Sequence, residues 1–319
     1  MNEKREDLMK SIAVVFPGQG SQYVGMGSDL VKEGNFSNRM EQVAEELGLS
    51  LKDLFALNTS DTTVMQPYIY GMSVALYELI QERYDIHPFI FAGHSLGEFS
   101  ALTAAGSLSF EEGLKIVKTR SNLMHNSPKG TMIAIIGIEE KELEMICEEV
   151  SAETGGTVKI GNYNTSSQYV ITGDTTSVYK VRDYIENQGR ALRVKQLSVS
   201  GAFHSSLMEA ANDEFNHAMS DVVIQKPSST IVMNVDGELY DSPDKIKELL
   251  GLQMISSVQW KKSVETIFAE RPELILEVGP GRTLAGIIKG VNRTQAIANV
   301  GNKQQLKQFS KQIRRLEVV

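Results

Sequence analysis

Residues 93–97 read Gly-His-Ser-Leu-Gly, with an apolar strand pattern before them and a helical pattern after. In this spacing a serine occupies a strained turn and the flanking glycines let strand and helix approach closely. Ser95 is therefore a candidate nucleophile, the alternative being an ordinary turn serine. A serine hydroxyl attacks a carbonyl only once a base takes its proton. Of the five histidines, His94 adjoins Ser95 and should point away from it, and His87 precedes Pro88 at a strand start. His125 and His217 lie in helix patterns among polar neighbours. His204, in SVSGAFHSSLME, stands before a helix whose expected capping box is Ser206 with Glu209. The positive end of that helix would favour the neutral imidazole a base needs. A histidine that merely caps the helix is the alternative.

Arg120 is a second chemical clue. In the helix pattern SFEEGLKIVKTRSNLMHN, opened by Ser109 with Glu112 as capping box, Ile116, Arg120 and Leu123 share one apolar face. A guanidinium there requires an anionic partner, either a protein carboxylate or a carboxylate on a substrate. Gly18-Gln19-Gly20 follows the first strand, at the sheet edge where Ser95 belongs if the strands are parallel. Its glycines would let the Gln19 backbone approach a bound group, although taken alone the segment reads as an ordinary strand-to-loop turn that needs no further explanation.

The net charge of -8 argues against a nucleic-acid binder, which needs a broad basic surface. The clearest basic run is C-terminal, where Lys303, Lys307, Lys311 and Arg315 recur on one helical face, read as solvated. No histidine pair has ligand spacing, so no metal site is expected, and no phosphate-binding glycine loop is present. The single cysteine, Cys147, favours a reducing compartment. The N-terminus is charged and the apolar run 12–16 is too short for a signal peptide or a membrane span, so a cytoplasmic protein without membrane attachment is expected.

Around these residues the chain reads as α/β. SIAVVF and HPFIFAG are short buried strands, with the long helix pattern QPYIYGMSVALYELIQER between them. TIVMNVDG and LILEVGPG are two further strands of the same parallel sheet. The middle differs: GTMIAIIGI, a helix over 139–151, TVKIGNYN, SQYVITGD, a helix over 175–187 and RALRVKQLSVS give the order βαββαβ, a ferredoxin-like unit. The expected division is a large α/β part, 1–128 and 201–319, interrupted by a small one, 129–200. A cleft between the two would take the ligand.

Taken together, FPGQGSQ, GHSLGE, Arg120 in KTRSNLM, GAFHSSLM, VQW and EVGPG resemble, in order and spacing over nearly the whole chain, the malonyl-CoA:acyl carrier protein transacylase family of fatty-acid and polyketide synthesis. The resemblance implies an α/β-hydrolase-like large subdomain with a parallel sheet and an inserted ferredoxin-like small one. It implies Ser95 as nucleophile, His204 as base and Arg120 as clamp for the free carboxylate of malonate. The backbone N–H groups of Gln19 and Leu96 would form the oxyanion hole. Gln259 matches the residue whose main-chain carbonyl orients the histidine, so that a Ser/His dyad replaces a triad. Asn162 and Asn164 would face the substrate, and Phe203 would leave little room for an α-methyl group. Many relatives have proline where Ser257 stands, and polyketide-type relatives often have histidine at the position of Gly201. Implied partners are malonyl-CoA and an acyl carrier protein, with no cofactor or metal, and a monomer is expected. A serine hydrolase that clears carrier proteins shares Ser95 and His204 but gives Arg120 nothing to hold. A non-catalytic docking module would need neither.

Overall fold

The computed structural model describes residues 11–199 and 201–317, with side chains as far as 313. Its strands in chain order are β1 (Ile12–Phe16), β2 (Ile90–Gly93), β3 (Thr131–Ile136), β4 (Val158–Thr165), β5 (Gln168–Gly173), β6 (Arg193–Gln196), β7 (Thr230–Val232), β8 (Leu239–Tyr240), β9 (Leu274–Val278) and β10 (Ile297–Val300). They form two sheets. One has the order β10-β9-β1-β2-β7-β8 and is parallel except for the β7/β8 pair. The other has the order β4-β5-β3-β6 and is antiparallel throughout.

The parallel sheet follows from its sequence. β1 and β2 are continuous apolar or small runs and β9 is apolar apart from Glu277, with every residue buried, as strands covered on both faces require. The helix Thr62–Tyr84, N-capped by Asp61 on the Thr63 N–H, is buried along most of its length and packs against Phe110–Asn126. That second helix has the expected capping box: Ser109 and Glu112 exchange side-chain-to-backbone hydrogen bonds.

The antiparallel sheet alternates as period-2 strands do. Ile133 and Ile135 of β3, with Tyr169 and Ile171 of β5, join the core under the helices Glu140–Thr154 and Thr175–Asn187. Met132, Ala134 and Val170, on the other face, line a cleft shared with the parallel sheet. The helix expected over 139–151 runs on to Thr154 and stops at Gly155, whose left-handed φ of 65° ends it. The C-terminal basic run is the helix Lys303–Glu317, which buries Leu306, Phe309 and Ile313. Lys303 pairs with Glu33 at 2.6 Å, while the Arg315 side chain lies outside the described residues. Among the described residues, no helix is long and apolar enough to cross a membrane.

Candidate active site

β1 and β2 run side by side with Phe16 level with Gly93, so the loops that follow them leave the same sheet edge. Gly18-Gln19-Gly20 continues one strand and His94-Ser95-Leu96 the other. The helix Gly97–Ala104 begins immediately after, and this sharp reversal explains the two motif glycines. A Cβ on Gly93 would lie 1.9 Å from the Gly97 carbonyl carbon, and one on Gly97 would lie 2.1 Å from the Phe16 oxygen. Ser95 sits at the apex with φ 50°, a left-handed conformation that a side chain rarely adopts. Its N–H donates to Asn234 Oδ1 at 2.6 Å, and Asn234 Nδ2 donates to the Gly93 carbonyl at 2.6 Å.

Ser95 Oγ lies 2.8 Å from His204 Nε2. His204 Nδ1 is 3.0 Å from the Gln253 carbonyl and 3.1 Å from that of Ser256. Carbonyls only accept, so Nδ1 carries the proton and Nε2 is left as the acceptor for the serine hydroxyl. Burial, and then the charge of Arg120, hold the imidazole neutral by pushing its pKa down to about 3. Serine and histidine are thus arranged as nucleophile and general base, with main-chain oxygens in the orienting role that a carboxylate fills in a triad.

The carbonyls that hold His204 correct one expectation: they belong to Gln253 and Ser256, not to Gln259. The Gln259 carbonyl is occupied by the N–H and hydroxyl of Ser263 as it opens the helix Trp260–Ala269. The loop before it is tied to β4 by Ser257 Oγ on the Ile160 carbonyl, by the Val258 N–H on Gly161 and by the Tyr163 N–H on Val258. Ser257 therefore adds a side-chain hydrogen bond to this loop. The expected Ser206/Glu209 capping box is also absent. Ser205 Oγ caps a 3-10 turn at Ser206–Met208 by accepting from the Leu207 N–H, so the helix Glu209–Met219 starts later without a side-chain cap.

Arg120 is fully buried and reaches the same point, with Nη2 3.1 Å from Ser95 Oγ. Nη2 also donates to Gln253 Oε1 at 2.8 Å and Nη1 donates to Gln66 Oε1 at 2.6 Å. Among the described residues these partners are all neutral, and buried Nε has none. Burial lowers the guanidinium pKa to about 10, still well above neutrality, so a fixed positive charge with an unmet donor stands beside the serine. The carboxylate in the neighbourhood is Glu98, whose charge acts on Arg120 without a direct ion pair.

Ser95, His204, Gln19, Leu96, Phe203, Asn162 and Asn164 all line one cleft of about 250 Å³ between the two sheets. No hydrogen bond among the described residues uses the backbone N–H of Gln19 or Leu96, so both are free to bind a developing oxyanion. Phe203 is buried, its ring resting where Gly201 has no side chain. His94 turns away from the dyad, with Nε2 2.9 Å from Asn164 Oδ1 and 3.5 Å from Asn162 Nδ2. A larger depression of about 610 Å³, between the helices Thr283–Val291 and Lys303–Glu317, contains none of these groups. Gln66, Asn234, Gln253 and Glu98 were not singled out from sequence. The available signal was a glutamate, Glu98, set within the apolar run LGEFSALTAAG, where a buried charge demands partners.

The chain matches the family described as acyl transferase domain over residues 13–317. It is 35% identical over 293 residues to the malonyl CoA-acyl carrier protein transacylase of Bacillus subtilis strain 168, covering 89% of this chain and 92% of that one. It is similar in structure to FabD from Acinetobacter baumannii, with TM-score 0.89 and 31% identity over 97% of this chain and 99% of that one. It is also similar to a malonyl-transacylase solved in complex with its type II polyketide synthase acyl-carrier protein, with TM-score 0.86 and 33% identity over 93% of this chain and 97% of that one.

Proposed function

This chain is a member of the malonyl-CoA:acyl carrier protein transacylase family, and from that premise we propose that it moves a malonyl group from malonyl-CoA to the phosphopantetheine thiol of an acyl carrier protein through a malonyl-serine intermediate. Ser95 Oγ gives its proton to His204 Nε2 and attacks the thioester carbonyl carbon. The oxyanion sits between the N–H groups of Gln19 and Leu96, and losing one such donor typically costs about 3 to 4 kcal/mol. The carbon–sulfur bond breaks and CoA leaves with the proton from His204. The carrier's thiol then loses its proton to His204 and attacks the malonyl ester, and Ser95 regains its hydrogen. The kinetics are ping-pong.

In this reading Arg120 takes the free carboxylate of malonate on its unpaired Nε and on the Nη2 that now touches Ser95 Oγ. Phe203 narrows the space beside the α-carbon, and Asn162 and Asn164 face the substrate from β4. The fold is read as a hydrolase-like part, 1–128 and 201–319, carrying the chemistry, with a ferredoxin-like part, 129–200, over the cleft. In support of that reading are the βαββαβ element order and the sheet order β4-β5-β3-β6. The protein would act as a cytoplasmic monomer without a cofactor, since the thioester itself brings an activated acyl group.

The observation that carries the reading is the meeting of Ser95 Oγ, in the wall of the cleft, with His204 Nε2 and with Nη2 of the buried Arg120. Intact-protein mass after brief incubation with malonyl-CoA, methylmalonyl-CoA or acetyl-CoA, followed by a chase with carrier protein, tests it. Malonyl should load and transfer, and Arg120→Ala should lose malonyl loading relative to acetyl loading. An unchanged malonyl-to-acetyl preference would overturn the role of Arg120, and release of malonate faster than carrier loading would favour a hydrolase.

A further inference from the structure

One residue touches nearly every part of the site. The Gln253 carbonyl accepts from His204 Nδ1 at 3.0 Å. Its side-chain Oε1 accepts from Arg120 Nη2 at 2.8 Å. Its Nε2 donates to the Ser95 carbonyl at 3.0 Å and to Glu98 Oε2 at 2.5 Å. Gln253 and Glu98 are both buried.

An amide presents an acceptor on one side and a donor on the other, and it can turn over at little cost when its surroundings do not care. Arginine only donates, so Arg120 is satisfied only when Oε1 faces it. The turned-over amide would set an N–H group against the guanidinium and leave that charge short of an acceptor inside the protein. The surroundings therefore have to demand a donor on the other side. The Ser95 carbonyl and an ionised carboxylate at Glu98 both do so, because each can only accept, and the carboxylate is the charged and shorter contact of the two. Glu98 is held to that role at both oxygens, since Oε1 accepts from the Asn234 N–H at 2.6 Å. Burial pushes the Glu98 carboxyl up to about 7, while these two hydrogen bonds and the charge of Arg120 act in the opposite direction.

We propose that Glu98 is a positioning residue: it fixes the direction of the Gln253 side-chain amide and thereby holds Arg120 aimed at the carboxylate of the acyl group. This rests on the transacylase reading above. Glu98 touches no substrate atom and acts through Gln253, so its removal changes which acyl group is loaded more than whether the serine is acylated. Glutamine at 98 is nearly isosteric but can donate, which removes the charged acceptor and leaves the Ser95 carbonyl alone to hold the amide in its direction.

The test measures kcat/KM for acyl-serine formation with malonyl-CoA and with acetyl-CoA, alongside thermal unfolding, for Glu98→Gln, Gln253→Met and the double variant. Glu98→Gln should fold and lower the malonyl-to-acetyl ratio by about tenfold or more, the scale of one hydrogen bond to a charged group. Gln253→Met should lower it in the same direction. The double variant should lose no more of the ratio than Gln253→Met alone, because both changes act on one contact. A folded Glu98→Gln with an unchanged ratio, or additive losses in the double variant, would overturn the proposal. Should Glu98→Gln not fold, Glu98→Asp, which withdraws the charge by one methylene, must lower the ratio in its place. Failure of the transacylase reading itself is distinguishable, since unsubstituted protein would then form no malonyl-serine or would release malonate in place of loading the carrier.

Discussion

Ser95 and His204, 109 residues apart, both hold left-handed backbone, φ 50° and 63°, and their side chains meet at 2.8 Å. Two uncommon conformations thus converge on one hydrogen bond, and each costs on the order of 1 to 3 kcal/mol that surrounding contacts must offset. Ser95→Ala and Ser95→Gly should both abolish the malonyl adduct and lower transfer at least about 10³-fold. The glycine variant, free of the left-handed penalty, should be the more stable of the two by about 1 kcal/mol in urea unfolding. Equal stabilities would argue that the turn stores no strain.

The pH dependence follows from His204. Its folded pKa of about 3 lies below the ordinary 6.5, so the imidazole is a competent base throughout the neutral range. The kcat/KM for malonyl-serine formation should show no loss attributable to protonation of this histidine between about pH 8 and about pH 5. The stability consequence has the opposite ring to that of a salt-bridged histidine: the unfolded chain takes up a proton first, so stability present above about 6.5 is lost as pH falls toward about 3. Comparing unfolding of His204→Gln with the parent at pH 7 and pH 5 checks this. A parent that loses no more stability than the variant between those values would contradict it.

The strand-to-helix junction should not tolerate a methyl group. In Gly97→Ala the new carbon would meet the Phe16 carbonyl oxygen at 2.1 Å, an atom of the central strand that has little freedom to move. We expect a loss of about 1 to 3 kcal/mol in denaturant unfolding, together with impaired acylation because Leu96 and Ser95 shift with the helix. A variant with parent stability and rate would show that strand and helix can part there without consequence.

Glu277 of β9 accepts from the Leu284 and Ala285 N–H groups, at 3.0 and 2.9 Å, and so caps the helix Thr283–Val291, whose Leu284 and Ile287 line the cleft. Glu277→Gln keeps one acceptor and turns a donor toward the second N–H. It should cost about 1 to 3 kcal/mol of stability and raise KM for malonyl-CoA with a smaller change in kcat. A fall in kcat alone would place its effect elsewhere.

What could be seen in the sequence depended on how each role is encoded. Ser95 was legible because its turn demands glycines at fixed offsets, and Arg120 because a cation interrupts an apolar helical face. The βαββαβ order was legible because each segment keeps its own period, and Ser109 with Glu112 because a capping box is a local pattern. Gln253 was not, since its carbonyl could belong to any residue type and its side-chain partners lie 133 or more positions away. Gln259 was assigned that carbonyl role by motif. The helix beginning at Trp260 takes up its carbonyl, and only the backbone geometry reveals that. Ser205 rather than Ser206 became the cap because the chain makes a 3-10 turn before the helix, a difference of one residue that the pattern SSLME does not encode.

The ties between β4 and the loop 256–258 join the wall of the cleft to the histidine. Ile160, Gly161 and Tyr163 grip Ser257 and Val258, immediately after Ser256, whose carbonyl steadies Nδ1 of the imidazole. Any displacement of β4 would therefore be felt at a carbonyl that holds the imidazole. Three hydrogen bonds thus splice the wall of the cleft to the segment that orients the histidine.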